Sequence, residues 1–328
     1  MDNSQASYQP LGGIQPYMWI VYSFMALLCF SFGGVISGQA SDFPFHLALT
    51  ASLASLTFLV TICTFFALRF LCREKRFPTI YDSNLFKNGK LSPGVKFGCL
   101  GGFLTMGGML SYILGWYFDE NGRGIIVSIF SSSTIFTSLL SHFIFKEKLT
   151  VCQGIGMAIG CGGIIVISIE SGSDGTWISY LCGISSFLCF GLANLINRKM
   201  QIEGLDPLTG GTLYAFGHFA TGALMLVILV LSGLELDQSD FEFGIAYCGY
   251  LIIFTAIFCS TRALMTGHIP ISLSISNSQG AVFILLEYLL FDIRPSIIKL
   301  AGAMIVIVGL LILFTGDSIL NKIKGKDE

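Results

Sequence analysis

The chain has 328 residues, of which 53% are hydrophobic and 12% charged, with a mean hydropathy of +0.76 and a formal net charge of −2. Soluble domains carry about 25% charged residues, and disordered chains need high charge with little apolar content, so both classes are excluded. A membrane protein with most of its length in lipid remains, without the basic field that nucleic acid would require.

Residues 1–16 are polar and lack a basic n-region, so they read as a cytoplasmic tail rather than a signal peptide. A spanning helix needs about 20 mostly apolar residues. Five such segments follow: Tyr17–Ile36, His46–Leu71, Val95–Tyr117, Gly124–Phe145 and Val151–Ile169. Five more are Trp177–Asn197, Leu208–Leu231, Phe243–Thr261, Ile269–Phe291 and Ser296–Thr315, before a basic tail over 316–328. Period-2 strand patterning is absent, so the expected fold class is an all-α polytopic membrane protein with ten transmembrane helices, not a barrel. The longest connector, Cys72 to Gly94, is too short for an extramembrane domain.

The basic residues set the expected orientation. With the N-terminus inside, 15 of the 18 Lys and Arg fall on the cytoplasmic side, and only Arg123, Arg294 and Lys299 fall outside. Both termini are then cytoplasmic.

The fourth and fifth segments realign on the ninth and tenth at an offset of 146. Ser128 then meets Ser274, Phe145 meets Phe291, Gly156 meets Gly302 and Gly163 meets Gly309. The first and sixth segments share Leu-Cys-Phe, at 28–30 and 188–190. Residues 17–169 and 177–315 are therefore read as two five-helix repeats. An odd number of spans per repeat inverts the second against the first, an architecture of many secondary transporters.

Three stretches carry a family resemblance. The sixth segment ends with Gly191, Ala193, Asn194 and Asn197-Arg198-Lys199. The fourth-to-fifth turn reads Phe145-Lys146-Glu147-Lys148-Leu149-Thr150, followed by Gln153, Gly156 and Gly163. The last segment opens Arg294-Pro295-Ser296, with Lys299, Gly302 and Gly309. Together these resemble the EamA-type pattern of the drug/metabolite transporter superfamily. The resemblance implies two inverted five-helix repeats and carries the family Asn over to Asn194. Two positions depart from it: Cys29 or Phe30 replaces the usual Trp, and Ile293 stands where the second copy would hold Glu. Thr150 and Gln153 also have the spacing of a capping box, and Glu147 lies before that helix N-terminus, where the dipole favours a carboxylate.

An ionisable group at mid-membrane costs about 2.5–3.5 kcal/mol on insertion scales. Glu287 is the one acid within a predicted span. Asn277, Gly280, Ile284 and Glu287 share a helix face by spacing, and Tyr288 extends it. Ser131, Thr134, Ser138 and Ser141 repeat the spacing on the fourth segment, with His142 next. The 146 offset superposes the two stripes, so they are expected to face each other across a substrate path. The alternative is that the hydroxyls bond their own helix and merely hold helices together. His218, alone in mid-span, reads as a packed, neutral, hydrogen-bonded residue.

No Lys or Arg lies in mid-span, so a neutral, zwitterionic or cationic metabolite is favoured over a phosphorylated one. The expected function is secondary transport of small organic metabolites by alternating access, with Glu287 a candidate for proton coupling. The alternatives are a nucleotide-sugar carrier of the same superfamily and a non-transporting membrane interaction protein. No nucleophile–base pair, phosphate loop or Cys/His cluster of metal-ligand spacing is present, so no enzyme activity, metal or cofactor is expected. The lipid bilayer and a small-molecule substrate are the expected partners, with a homodimer through glycine-rich helix faces also weighed. Lys324 and Lys326 resemble an endoplasmic reticulum retrieval signal, whereas Tyr8-Gln9-Pro10-Leu11 resembles an endosomal one. The organelle (endoplasmic reticulum, Golgi or endosome) therefore stays open.

Overall fold

The computed structural model describes residues 17–38, 49–61, 63–64, 86–87, 90–119, 123–147, 149–169, 176–205, 207–231, 240–292 and 294–323. They form helices α1 (Met18–Gly38), α2 (Leu49–Thr61), α3 (Pro93–Phe118), α4 (Arg123–Ser131), α5 (Ser133–Phe145) and α6 (Val151–Ile169). The helices continue with α7 (Trp177–Ile202), α8 (Pro207–Leu231), α9 (Asp240–Thr266), α10 (Ile269–Asn277), α11 (Gln279–Phe291) and α12 (Ile297–Ile323). A two-residue ladder pairs Phe86–Lys87 with Lys90–Leu91 in the connector before α3. The polar tails at 1–16 and 324–328 and most of the connector at 65–85 lie outside the described residues.

Eight candidate spans among the described residues are long and apolar enough to cross a membrane. The chain is thus an integral, multi-pass helical membrane protein. Two of the ten expected spans fall outside those eight. The second is described only as the 13-residue helix Leu49–Thr61. The third is the 26-residue α3, long enough to span, in which seven glycines alternate with large apolar side chains.

The fourth and ninth segments are not single helices. Each breaks at a serine, Ser132 between α4 and α5, and Ser278 between α10 and α11. The local chemistry is the same at both. The Ser132 hydroxyl donates to the Ser128 carbonyl at 3.1 Å, and the Ser278 hydroxyl donates to the Ser274 carbonyl at 2.7 Å. The Ser132 and Ser278 amides turn to the carbonyls three residues back, at 3.1 and 3.2 Å. Ser31 and Ser168 make the same i−4 bond within the unbroken α1 and α6, so the break lies in the amide's turn to i−3, a local 3₁₀ step.

The 146 offset recurs in the backbone. It carries the starts of α4, α5 and α6 onto the starts of α10, α11 and α12. The left-handed residues that end α5 and α11, Lys146 (φ 55°) and Asp292 (φ 54°), are also 146 apart. Packing follows the same pairing: α1 lies along α9, and α3 lies along α7. Between α6 and α12, a Cβ on Gly156 would meet the Gly309 carbonyl at 2.7 Å, and one on Gly163 would meet the Gly302 carbonyl at 2.7 Å. The glycine faces weighed above for a second copy therefore pack on each other within the chain, while Gly154 and Gly162 have no neighbour within 4 Å.

Local signals place several helix ends. The expected capping box forms: the Gln153 amide donates to Thr150 Oγ1 and the Thr150 amide donates to Gln153 Oε1, both at 3.2 Å. Asp119, 6% exposed at the end of α3, holds the start of α7. Its Oδ2 accepts from the Thr176 hydroxyl at 2.7 Å, the Ser179 hydroxyl at 2.6 Å and the Thr176 amide at 2.5 Å. A carboxylate at a helix N-terminus is favoured by the dipole and by charge-assisted hydrogen bonds. Asp119→Ala is expected to lower stability by about 2 kcal/mol, read as a lower thermal midpoint of the purified protein, because three donors lose their acceptor.

Candidate functional site

The two broken helices meet. Asn277, the last residue of α10, donates from Nδ2 to Thr134 Oγ1 in the first turn of α5. Beside this pair is a cavity of about 20 Å³, room for about one water molecule. Thr134, Ser274, Asn277 and Ser278 form its polar side, and Met157, Cys161, Ile164 and Leu313 its apolar side. Gly156, Gly160 and Gly309 bring α6 and α12 close to it. No Lys, Arg, Asp or Glu is among its lining residues. A cavity this small has no room for anything larger than a water molecule.

Of the stripe residues, the structure brings together Thr134 and Asn277. Ser138 is fully buried on α5, and its hydroxyl has no hydrogen-bond partner among the described residues. The Ser141 hydroxyl donates to the Ser138 carbonyl at 2.9 Å, the local bond the alternative reading anticipated. His142 is exposed and holds the Glu147 carbonyl at 2.7 Å through Nδ1. Asn194 is half-buried on α7, and Tyr288 is 46% exposed on α11; neither borders the cavity. The side chains of Ser131 and Glu287 lie outside the described residues, though both positions are helical.

A second polar cluster joins α3, α7 and α8. The Tyr214 hydroxyl pairs with Thr105 Oγ1 and with Asn197. One turn on, His218 is fully buried edge-to-face on Phe254, with ring centroids 4.6 Å apart. Contrary to the expectation of a hydrogen-bonded histidine, neither ring nitrogen has a hydrogen-bond partner among the described residues. Gly102 and Gly217 explain the crowding, because a Cβ on Gly102 would lie 2.1 Å from the Tyr214 carbonyl.

At one end of the bundle, Glu147 does something its motif did not suggest. Instead of serving its own α6, it caps another helix: its Oε2 accepts from the Ile269 amide at the start of α10, at 3.3 Å. Its Oε1 faces Arg198 Nε at 3.1 Å. Burial pushes the Glu147 carboxyl above its ordinary value, against the opposing effects of Arg198, the Ile269 amide and His268. A partner 122 residues away leaves no local sequence signal.

No family model matches the chain. An uncharacterized transporter of Bacillus subtilis, YxxF, is 25% identical over 205 residues, 59% of this chain and 62% of that protein. A second, YoaV, is 26% identical over 124 residues, 37% of this chain and 39% of that protein. The chain thus matches less than two thirds of the length of either relative. A solved crystal structure superposes with a TM-score of 0.69 at 15% identity, covering 92% of this chain and 98% of the other. That likeness shows a shared fold.

Proposed function

We propose that the chain is a secondary transporter of small organic metabolites that works by alternating access between its two halves. The observation that carries this reading is the meeting of two serine-broken helices, 146 residues apart, at the Thr134–Asn277 pair. Broken helices that meet at a repeat interface are where transporters place substrate sites. The transporter names of the two Bacillus subtilis relatives support the same reading. The finer reading is an EamA-type drug/metabolite transporter, with ten crossings, two inverted five-helix repeats and both termini in the cytoplasm. The matched helix starts and the mirrored glycine contacts of α6 and α12 support the repeats.

The cavity lining favours an uncharged or zwitterionic substrate, since hydroxyl and amide groups line it and no charge does. The test is uptake by proteoliposomes of a library of such metabolites. Saturable, stereospecific uptake of one class supports the proposal. Exchange of nucleotide sugars would move the chain to the alternative carrier class, and no flux of any compound would favour an interaction role. Coupling to protons through Glu287 carries its own expectation: Glu287→Gln removes the acceleration of uptake by an imposed proton gradient while expression persists. An unchanged response to the gradient in that variant would sink the coupling.

A further inference from the structure

Three segments distant in sequence converge on one carboxylate. Glu147 sits in the turn between α5 and α6 and is 8% exposed. Its Oε2 holds the first amide of α10, and its Oε1 faces Arg198 of α7 at 3.1 Å, without the angle of a hydrogen bond. Arg198 has other partners, Gln201 and, at 3.3 Å, the Met265 carbonyl near the end of α9. Neutralising Glu147 therefore does not strand the guanidinium. It removes one imperfect ion pair and relieves the burial of a charge, an exchange that is often neutral or favourable. The groups that face this carboxyl are Arg198 from α7 and His268 from the α9–α10 turn. His142 of α5 binds the Glu147 carbonyl, and Lys146 is adjacent in the chain. The sequence of the second half puts Ile293 where the first has Glu147, so the repeat does not reproduce the carboxylate at the other end.

We propose that Glu147 is a proton-binding site, whose carboxyl carries a proton while this end of the bundle is closed and releases it as the end opens to water. Its service as a gate rests on the transporter reading; the proton binding does not. The sign follows from burial. The closed state holds the carboxyl above its ordinary value, so it binds the proton more tightly than a solvated Glu147 would. Closure is strongest below the ordinary carboxylate value and weakens as pH rises from there to the raised value.

Hydrogen exchange of the full chain in lipid nanodiscs, corrected for intrinsic rates, tests this without requiring flux. Opening of the first turn of α10 (residues 269–272) is expected to rise by up to about tenfold per pH unit across that window. Glu147→Gln is expected to stay closed with a flat profile. Arg198→Gln is expected to keep the dependence but move it to higher pH, because it removes the cation that favours the charged form. His142→Gln, His268→Gln and Glu287→Gln should each keep the dependence. A flat wild-type profile, an unchanged profile in Glu147→Gln, a midpoint in Arg198→Gln that stays put or falls, or loss of the dependence in any of the other three variants would overturn the proposal.

Discussion

Gly217→Val is expected to leave little folded protein. A Cβ at position 217 would lie 2.2 Å from the Cys99 carbonyl oxygen and 3.0 Å from its carbon. The opposing atoms are backbone, so no rotamer change relieves the clash, and α3 and α8 must separate. The same approach is tight from the other side, where a Cβ at Gly102 would lie 2.8 Å from the His218 amide nitrogen. Overpacking a core with flexible side chains costs about 1–3 kcal/mol, and a backbone clash belongs above that range. The measurement is the yield and thermal midpoint of protein purified in detergent. Gly107→Ala is the control, because a Cβ there meets nothing within 4 Å and helix propensity improves by about 1 kcal/mol. A Gly217→Val protein that melts like wild type would show that α3 and α8 do not pack as described.

Asn277→Leu is expected to reduce uptake of the cognate substrate by about tenfold to a hundredfold while the protein stays folded. The substitution removes the donor to Thr134 and leaves that hydroxyl unpaired beside the cavity. An unpaired buried polar group costs about 1–3 kcal/mol, which sets the range. It also replaces a polar wall with an apolar one where the two broken helices meet. Thr134→Ser, which keeps the hydroxyl, should retain most uptake, and Thr134→Val should behave like Asn277→Leu. The check is initial-rate uptake normalised to reconstituted protein. Wild-type uptake in Asn277→Leu would remove this pair from the substrate path.

Much of the architecture was legible because apolar length and glycine spacing are local signals. The offset that aligned Gly156 with Gly302 also aligned the starts of α6 and α12. The capping box at Thr150 was readable for the same reason: its partners are three residues apart. The helix breaks were not readable. A serine in a helix either bends it or does not, and only packing decides which. The described members of the α5 stripe, Thr134, Ser138 and Ser141, are all buried. A face defined by about 100° per residue assumes one unbroken helix. The stripe from Ser131 to Ser141 crosses the break at Ser132, and the stripe from Asn277 to Glu287 crosses the break at Ser278. In the structure Asn277 donates to Thr134, while Tyr288 is 46% exposed. Glu147 was singled out for its motif before α6, but its partners Ile269 and Arg198 were not readable, because only the fold brings them to it.

In the proposed transport cycle, the meeting of the broken helices opens and closes around a small metabolite. Uptake by proteoliposomes containing the purified chain, screened with uncharged and zwitterionic metabolites, tests it most directly. The account predicts saturable uptake of one class, lost in Asn277→Leu and kept in Thr134→Ser. Flux that ignores both substitutions, or no flux with any compound in folded protein, would contradict it.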